Sequence, residues 1–531
     1  MKDTEKDSDI LLKSLTYDEI YVQNQTLYSE NDTFKKKIEE YSQNASKQDG
    51  KINYLEEQLE ALKRIIFGQK SESFILSTKE QQRLDLDIED QIIDIEDINE
   101  EKDVKKKKKR GGRLRVSKDI PIEKRSIVLP EEERMCSHCE KPMTEFGEEV
   151  SKKIEVIPAQ VKIIETVRKK YSCGCCQEGV KISPLPDSAM PKCLATESTL
   201  AHIAEQKYLL HTPLYRQQQY WKDHGVIFSR KTMSTWMIKL AELFKSVLEL
   251  MKEDLLKTGY ASVDETGLKI ISSKKASCMW IYTTGDRDVR KITIFEAKSQ
   301  KQGVDNIDFL SGFKGILQHD GLNIYDWAKK DKDITSIGCM AHARRKFEKV
   351  VKAYKATDGI AYDIMKIIKK LYKIEEIIVE DNFSIQQIEE QRNKASRPLI
   401  EQMHTRLLKE ENAVYPKSTL GQAISYTLRE WPRLIKYLDD GRMRIDNNHT
   451  EREAKFLAVG RKNWLFAVSE GGAEANAILY SISSTCRGSE ISFYSYVKYI
   501  LENYSVLADK EHLRKFLPHT IDKKLLYKDS S

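Results

Sequence analysis

Two aspartates follow short apolar segments, a position from which acidic side chains can bind a metal ion. Asp264 comes directly after the apolar run 260–263, and Asp320 comes after 315–318 with His319 between them. Close carboxylates repel each other, and Mg²⁺ can hold both in the ionised form. Two such ions about 4 Å apart can stabilise the attacking and leaving oxygens of an in-line phosphoryl transfer. The pair therefore predicts metal-dependent phosphoryl-transfer chemistry.

A third acidic ligand is predicted from residues 446–452, whose sequence is DNNHTER. Glu451 can act from the first turn of a helix that begins here. Alternatively, Asn448 with Glu451 three residues later forms a capping-box pattern, and Glu451 then only starts the helix. Both interpretations can hold, since a carboxylate in a first turn can also face a metal. The basic residues around Glu451 favour a functional role for it and are themselves candidates for contacts with DNA phosphates: Arg452, Lys455, Arg461 and Lys462.

The elements that must position these acids lie in residues 258–350, which predict the order β-β-β-α-β-α-β-α. This is the order of a ribonuclease-H-like domain, in which three antiparallel strands are extended by parallel strands with helical crossovers. The first and fourth strands of such a sheet are neighbours. Asp264, at the end of the first strand, and Asp320, at the end of the fourth, are therefore expected to meet at one edge. Residues 351–440 predict a helical insertion before the helix of Glu451.

Other polar and aromatic residues surround this predicted pocket. Arg344 and Arg345 follow the fifth predicted strand and can bind scissile or flanking phosphates. Cys339 and His342 form a C-x-x-H pattern, which we interpret as pocket lining or core because no second pair accompanies it. Trp464 can stack on an unpaired base or anchor the core, and we favour the anchor.

Two C-x-x-C pairs predict a structural zinc site: Cys136 with Cys139, and Cys173 with Cys176. Four thiolates can surround Zn²⁺ tetrahedrally, and the long spacer between the pairs is typical of a zinc ribbon. Cys175 competes with Cys176 for the fourth position. Because protein ligands fill all four positions, a structural role is favoured over a catalytic one.

Residues 197–246 predict successive helices. A helix over 213–225, a short turn and a second helix capped by Ser229 resemble a helix-turn-helix. Arg230 and Lys231, in the first turn of the second helix, are then candidates for DNA contacts. The alternative is an ordinary bundle of three helices.

The N-terminal part predicts self-association and a basic arm. Residues 20–66 carry a heptad seam that predicts a coiled coil, and the alternative is a long amphipathic helix packed on its own chain. Residues 85–103 are acidic and predict a linker. The bases that follow suit a flexible arm on DNA phosphates, although such a run can also be simply solvated: Lys105, Lys106, Lys107, Lys108, Lys109 and Arg110.

Composition limits the class of protein. The chain has 531 residues, 40% hydrophobic and 32% charged, with a net charge of +6. No apolar run reaches membrane-spanning length, and the N-terminus lacks the apolar core of a signal peptide. We therefore exclude secretion and membrane insertion and expect a cytoplasmic protein with several domains.

Five blocks in the chain resemble transposases of the insertion sequence 66 family: residues 262–269, 317–327, 338–347, 446–453 and 460–473. The resemblance implies a DDE-type enzyme with the catalytic, metal-binding triad Asp264, Asp320 and Glu451 and two Mg²⁺ or Mn²⁺ ions per site. Such enzymes cut at the transposon ends and then use the freed 3′-hydroxyl to attack target DNA, without a covalent protein–DNA intermediate. The resemblance also implies small companion proteins of the same element. A catalytically silent DNA-binding regulator or domesticated relative, and a structure-selective nuclease, are the alternatives.

We predict a multidomain α+β protein. We expect it to be bacterial and to associate with the nucleoid. Its segments are a coiled coil (1–80), a linker and basic arm (81–118), a zinc ribbon (119–190), a helix-turn-helix-like domain (191–255), the first part of the ribonuclease-H-like core (256–350), the helical insertion (351–440), the second part of the core (441–480) and a helical tail (481–531).

Overall fold

The structure, a computed structural model, describes residues 28–38, 160–172, 180–273, 275–298, 308–354 and 358–527, with residues 26, 48, 52, 55 and 141. The chain divides into two compact units, Gln81–Val167 and the rest. Residues 160–167 of the first unit form neither helix nor strand. In the second unit, residues 28–38 are helical and exposed, and most of the predicted coiled coil lies outside the described residues.

A small ribbon opens the continuous part of the second unit. Strands β1 (Lys170–Ser172) and β2 (Val180–Ile182) pair in antiparallel orientation. The four predicted zinc ligands, Cys136, Cys139, Cys173 and Cys176, lie outside the described residues, as do the basic residues 105–110.

Five strands form the central sheet: β3 (Tyr260–Leu268), β4 (Ser277–Thr284), β5 (Thr293–Lys298), β6 (Gly315–Gln318) and β7 (Ile334–Ile337). Their order is β5-β4-β3-β6-β7. The first three strands are antiparallel, and β6 and β7 extend them in parallel. Every residue of β4 is buried, as expected for a strand rich in apolar and β-branched residues. The first and fourth strands, β3 and β6, are neighbours, as the predicted order requires.

Asp264 does not end its strand, contrary to the prediction. Strand β3 pairs with β6 only from Tyr260 to Ser262, but its pairing with β4 continues to Leu268. Asp264 therefore lies inside β3, just beyond the last residue that pairs with β6. The strand continues through Asp264 because the ladder to β4 supplies hydrogen bonds that the local sequence does not indicate.

Four helices precede the sheet: α1 (Glu197–Tyr208), α2 (Leu214–Asp223), α3 (Arg230–Leu243) and α4 (Lys245–Lys257). Ser229 caps α3, since its side chain accepts a hydrogen bond from the backbone of Thr232 at 3.0 Å. These helices pack into one hydrophobic core with the sheet and with residues of the helix Glu470–Gly488.

The helices that follow the sheet form a second core. They are α5 (Met340–Tyr354), α6 (Gly359–Glu380), α7 (Ile385–Gln391), α8 (Arg397–Glu411) and α9 (Thr419–Leu434), with a π-helical segment at Arg392–Ser396. Arg392 is fully buried and makes two hydrogen bonds to Glu375, each 2.7 Å long. This charge pair joins the π-helical segment to α6.

The remaining helices return to the sheet: α10 (Asn448–Trp464), α11 (Glu470–Gly488), α12 (Phe493–Glu502), α13 (Lys510–Leu513) and α14 (Lys523–Leu526). Helix α10 packs against β3 and β4, and α11 packs against β5. Short 3₁₀ segments cover Asn323–Lys329, Lys436–Leu438, Tyr504–Ala508 and Arg514–Phe516. In the part of the chain that the structure describes, every helix is too short or too polar to cross a membrane.

Candidate active site

The pairing of β3 with β6 sets the positions of the two aspartates. Ser262 and Gln318 are partners in the last parallel pair. Asp264 and Asp320 each lie two residues beyond this pair. Because side chains alternate across a strand, Asp264 lies on the same face of the sheet as Ser262. Two acids separated by 56 positions in the sequence are thus brought together where the pairing of β3 with β6 ends.

Backbone hydrogen bonds hold the two carboxylates. The amide of Glu265 donates to Oδ1 of Asp264 at 2.9 Å, and the amide of Leu322 donates to Oδ1 of Asp320 at 3.0 Å.

The helical insertion supports the loop of Asp320, a contact that the sequence analysis missed. Tyr426 on α9 donates its hydroxyl hydrogen to the backbone oxygen of Asp320 at 2.7 Å. The next residue, Gly321, has φ of +85°, and a Cβ there would lie 2.8 Å from Oε2 of Glu430, also on α9. Helix α9 thus approaches the loop so closely that only glycine fits beside it.

Glu451 lies in the first turn of α10, but it does not form the capping box. The N-cap is Asn447, whose side chain makes no capping hydrogen bond. The carboxylate of Glu451 instead pairs with Arg345, and its Oε1 lies 3.5 Å from Nδ1 of His342. Asn447 ties this end of the helix to β3, since its Nδ2 donates to the backbone oxygen of Val263 at 3.0 Å. The third acid is thereby held beside the strand that carries Asp264.

The electrostatics link all three acids. Burial raises the pKa of Asp264 well above its ordinary value, and the nearby charges of Glu265, Asp320 and Glu451 raise it further. Asp320 and Glu451 are both 7% exposed. Clustered, buried carboxylates need a positive charge to remain ionised together, and a divalent cation with oxygen ligands supplies it. Oε1 of Glu451 is buried without a hydrogen bond, so the donor set fits Mg²⁺ or Mn²⁺.

One acid of the site was not predicted, and His319, which the sequence places next to Asp320, lies near it. Glu265 is a fourth acid near Asp264, and its Oε2 accepts a hydrogen bond from the hydroxyl of Tyr325 at 2.7 Å. Its adjacency to Asp264 in the sequence was the available signal. His319 is buried, with Nε2 2.8 Å from Oγ of Ser336 and its ring stacked on Tyr325.

Cys339 and His342 lie beside Glu451 and line the site. One ligand atom from each of the three residues falls within 4.8 Å of the other two. Burial raises the pKa of the Cys339 thiol well above its ordinary value. The sulfur accepts a hydrogen bond from the amide of Asn447 at 3.2 Å. Cys339 thus holds the start of α10.

The Arg and Lys residues predicted to bind DNA differ in their surroundings. Arg345 is paired with Glu451, and Arg344 lies over the ring of Tyr372 at 5.7 Å. Arg461 donates to Oγ1 of Thr266 at 3.2 Å. The other described bases of the set are exposed: Arg230 and Lys231 at the start of α3, and Arg452, Lys455 and Lys462 on α10.

A cavity of about 460 Å³ opens next to the acids. Ser262 and Gln318 line it from the sheet, Tyr372 from α6, and Asn448 and Arg452 from α10. Ser262 and Gln318 lie two residues before Asp264 and Asp320, whereas none of the three acids lines the cavity itself.

Comparison with known proteins gives the family. The chain is 29% identical to the uncharacterized protein y4jD of Sinorhizobium fredii over 83% of its own length and 89% of the relative. It is 30% identical to the uncharacterized protein y4hP of the same organism over 70% of each chain. Residues 54–125 match the family model described as "Transposase C of IS166 homeodomain". Residues 133–177, which contain all four predicted zinc ligands, match the model "zinc-finger binding domain of transposase IS66". Because residues 192–475, more than half of the chain, match the remaining model, the chain belongs to the Transposase IS66 family.

Proposed function

We propose that this transposase binds the ends of its insertion sequence, cleaves DNA there and joins the freed strand to target DNA. The catalytic residues are Asp264, Asp320 and Glu451 on a ribonuclease-H-like core. One observation carries the proposal: acids from three remote parts of the chain lie close enough that Asp320 and Glu451 raise the pKa of Asp264. Membership of a transposase family gives this cluster its substrate, which is DNA.

The three acids hold the metal ions, and their neighbours hold the acids. When bound, two Mg²⁺ or Mn²⁺ ions stabilise the attacking and leaving oxygens of the phosphate. Arg345 neutralises Glu451 and keeps its carboxylate at the start of α10. The hydroxyl of Tyr325 donates a hydrogen bond to Oε2 of Glu265 and so fixes the position of this fourth carboxylate. The buried setting excludes water and strengthens each of these interactions.

DNA binding is assigned to the other parts of the chain. The exposed bases Arg230 and Lys231 open α3, which suits the recognition helix of a helix-turn-helix. Residues 105–110 form an arm on the phosphates, and Cys136, Cys139, Cys173 and Cys176 hold a structural Zn²⁺ ion. Self-association through residues 20–66 then brings two ends together, with companion proteins of the same element taking part.

Cleavage of end DNA by purified protein tests the proposal. The probe is a duplex that carries the terminal repeat of the element, incubated with Mg²⁺ or Mn²⁺. Asp264→Asn is expected to abolish nicking and to leave binding of the duplex unchanged, because it removes a metal ligand outside the DNA-binding helices. Asp381→Asn, an exposed acid at the end of α6, serves as the matched control. Equal nicking by the Asp264 variant would refute the triad, and binding without nicking by the unaltered chain would favour a catalytically silent regulator.

A further inference from the structure

A group of apolar side chains is exposed at the end of α10. In this position the side chains do not contribute to the stability of the hydrophobic core. Leu465 is 63% exposed, Phe466 40%, Val468 68%, and Ile271 in the adjoining loop 51%. We call these four residues the apolar edge. Backbone hydrogen bonds hold its two loops together, from Ala467 to Lys269 and from Ile271 to Ala467, each 2.9 Å long. The edge is therefore a fixed feature beyond the end of β3.

The backbone turns these side chains outward at a conformational cost. Leu465 has φ of +66° and ψ of −44°, a region that residues with a side chain rarely adopt. Its neighbour Trp464 is anchored instead, since it packs on the main core and its Nε1 donates to the hydroxyl of Tyr480 at 3.2 Å. This agrees with the interpretation of Trp464 as an anchor. Strained, non-glycine positions of this kind cluster at functional sites.

The exposed face of α10 that leads to the apolar edge carries charge suited to DNA. Arg452, Lys455, Val459 and Lys462 are exposed and follow one another at spacings of three, four and three residues, so they share one face of α10. From residue 449 to residue 468, every exposed side chain is either basic or apolar. Lys269 adds an exposed base beside Ile271. The acids of this stretch, Glu451 and Glu453, are buried. A second copy of this face would meet it with like charge, whereas nucleic acid meets it with opposite charge.

The basic face of α10 joins the apolar edge to the candidate active site. Glu451 and Leu465 are 14 positions apart. At 1.5 Å per residue, this separation is about 21 Å along the helix. Base pairs of B-form DNA are about 3.4 Å apart, so the same distance covers roughly six base pairs.

We infer that the apolar edge is a wedge that enters duplex DNA roughly six base pairs from the phosphate held by Asp264, Asp320 and Glu451, and unstacks a base step there. Some proteins deform DNA by inserting apolar side chains between stacked base pairs while Lys and Arg side chains bind the neighbouring phosphates. The inference rests on the proposed function, because it takes the DNA path from the active site. It adds a specific DNA contact, made by apolar side chains at a stated distance from the cut.

Fluorescence of 2-aminopurine tests the wedge without any cleavage. The analogue is placed at one position at a time in a duplex of the terminal repeat, and full-length protein with its zinc is added without Mg²⁺ or Mn²⁺, so that no cleavage takes place. A several-fold rise in fluorescence is expected at one or two adjacent positions near the sixth base pair from the cut, counted as about 21 Å of duplex. The double variant Leu465→Ala/Phe466→Ala should lose this rise and bind the duplex about tenfold more weakly, as loss of a stacking contact does.

Matched variants separate the possible outcomes. Val289→Ala removes a side chain that is 95% exposed outside the basic face, so it should keep both the rise and the affinity. Asp264→Asn should keep the rise while it loses cleavage, which separates failure of the wedge from failure of the catalytic proposal. A uniform fluorescence profile with the unaltered protein, or an unchanged profile with the double variant, overturns the inference. So does a double variant that only lowers self-association, since the edge would then cover a second copy of the chain.

Discussion

At the scale of single residues, three of the four acids of the candidate site could be chosen from the sequence, but their contacts could not. Asp264, Asp320 and Glu451 each stand beside an apolar segment or a helix start, which local pattern reveals. The pairing of Glu451 with Arg345 and of Glu265 with Tyr325 joins residues far apart in the chain. Such contacts depend on packing of the insertion and the sheet, and no spacing in the sequence encodes them.

Gly321 makes the close approach between α9 and the Asp320 loop testable. Gly321→Ala is expected to lower cleavage and stability more than Gly312→Ala does. Both glycines have positive φ, +85° and +78°, so both substitutions pay a similar backbone cost of about 1 kcal/mol. Only at Gly321 would the new Cβ meet another group, Oε2 of Glu430 at 2.8 Å. Cleavage rates and thermal unfolding of the two variants measure the difference. Identical behaviour would show that the loop tolerates the clash.

Lys207 makes the stability of the chain depend on pH. Burial lowers the pKa of this lysine from 10.5 to about 7, and its Nζ donates to Oδ1 of Asn476 at 2.8 Å. Between these two pH values the unfolded state binds more protons than the folded state, so stability should rise as pH increases from about 7 to about 10. Lys207→Met should remove its share of this rise, so the variant should gain stability relative to the unaltered chain mainly at neutral pH. The hydroxyl of Tyr208 still donates to Asn476 at 3.2 Å, so the acceptor keeps a partner.

Unfolding free energies of both proteins across this pH range provide the measurement. A parallel rise in the two proteins would show that another group is responsible.

At the scale of elements, the strand order was predictable because each strand is a short apolar run with turn residues at its ends. The predicted fourth strand, 315–318, matches β6, and Ser229 caps α3 as expected. The extent of β3 was not predictable, because Asp264 and Gly267 are poor strand formers that only the ladder to β4 keeps extended. The capping-box alternative for Glu451 was wrong for a similar reason, since tertiary contacts with Arg345 take the side chain away from the helix end.

Helix α9 offers a test of what the insertion contributes. Tyr426→Phe removes the hydroxyl that donates to the backbone oxygen of Asp320 but keeps the ring. Loss of one such bond is worth about 1 kcal/mol, so cleavage should fall about threefold to tenfold while binding of end DNA stays the same. Tyr362→Phe on α6, where the ring contacts Lys366, is the matched control. An unchanged cleavage rate in the Tyr426 variant would exclude a role of α9 in positioning Asp320.

At the scale of the whole molecule, one sheet edge, one inserted set of helices and one returning helix together build the candidate site. Helix α9 contacts the Asp320 loop and α10 packs on β3 and β4, so both helices lie beside the buried acids. The same returning helix carries the basic face toward the apolar edge, so the site and the proposed DNA path share one element. The family match and the carboxylate cluster both support the proposed function.

Transposition in cells tests the central claim most directly. A marked element with its own ends and companion genes is supplied with the unaltered chain, with Asp320→Asn or with the control Asp381→Asn, at equal protein levels. The account predicts jumps with the unaltered chain and the control, and a loss by a factor on the order of 10³ or more with Asp320→Asn, as for removal of a catalytic group. Equal transposition frequencies for the unaltered chain and the Asp320 variant would contradict it.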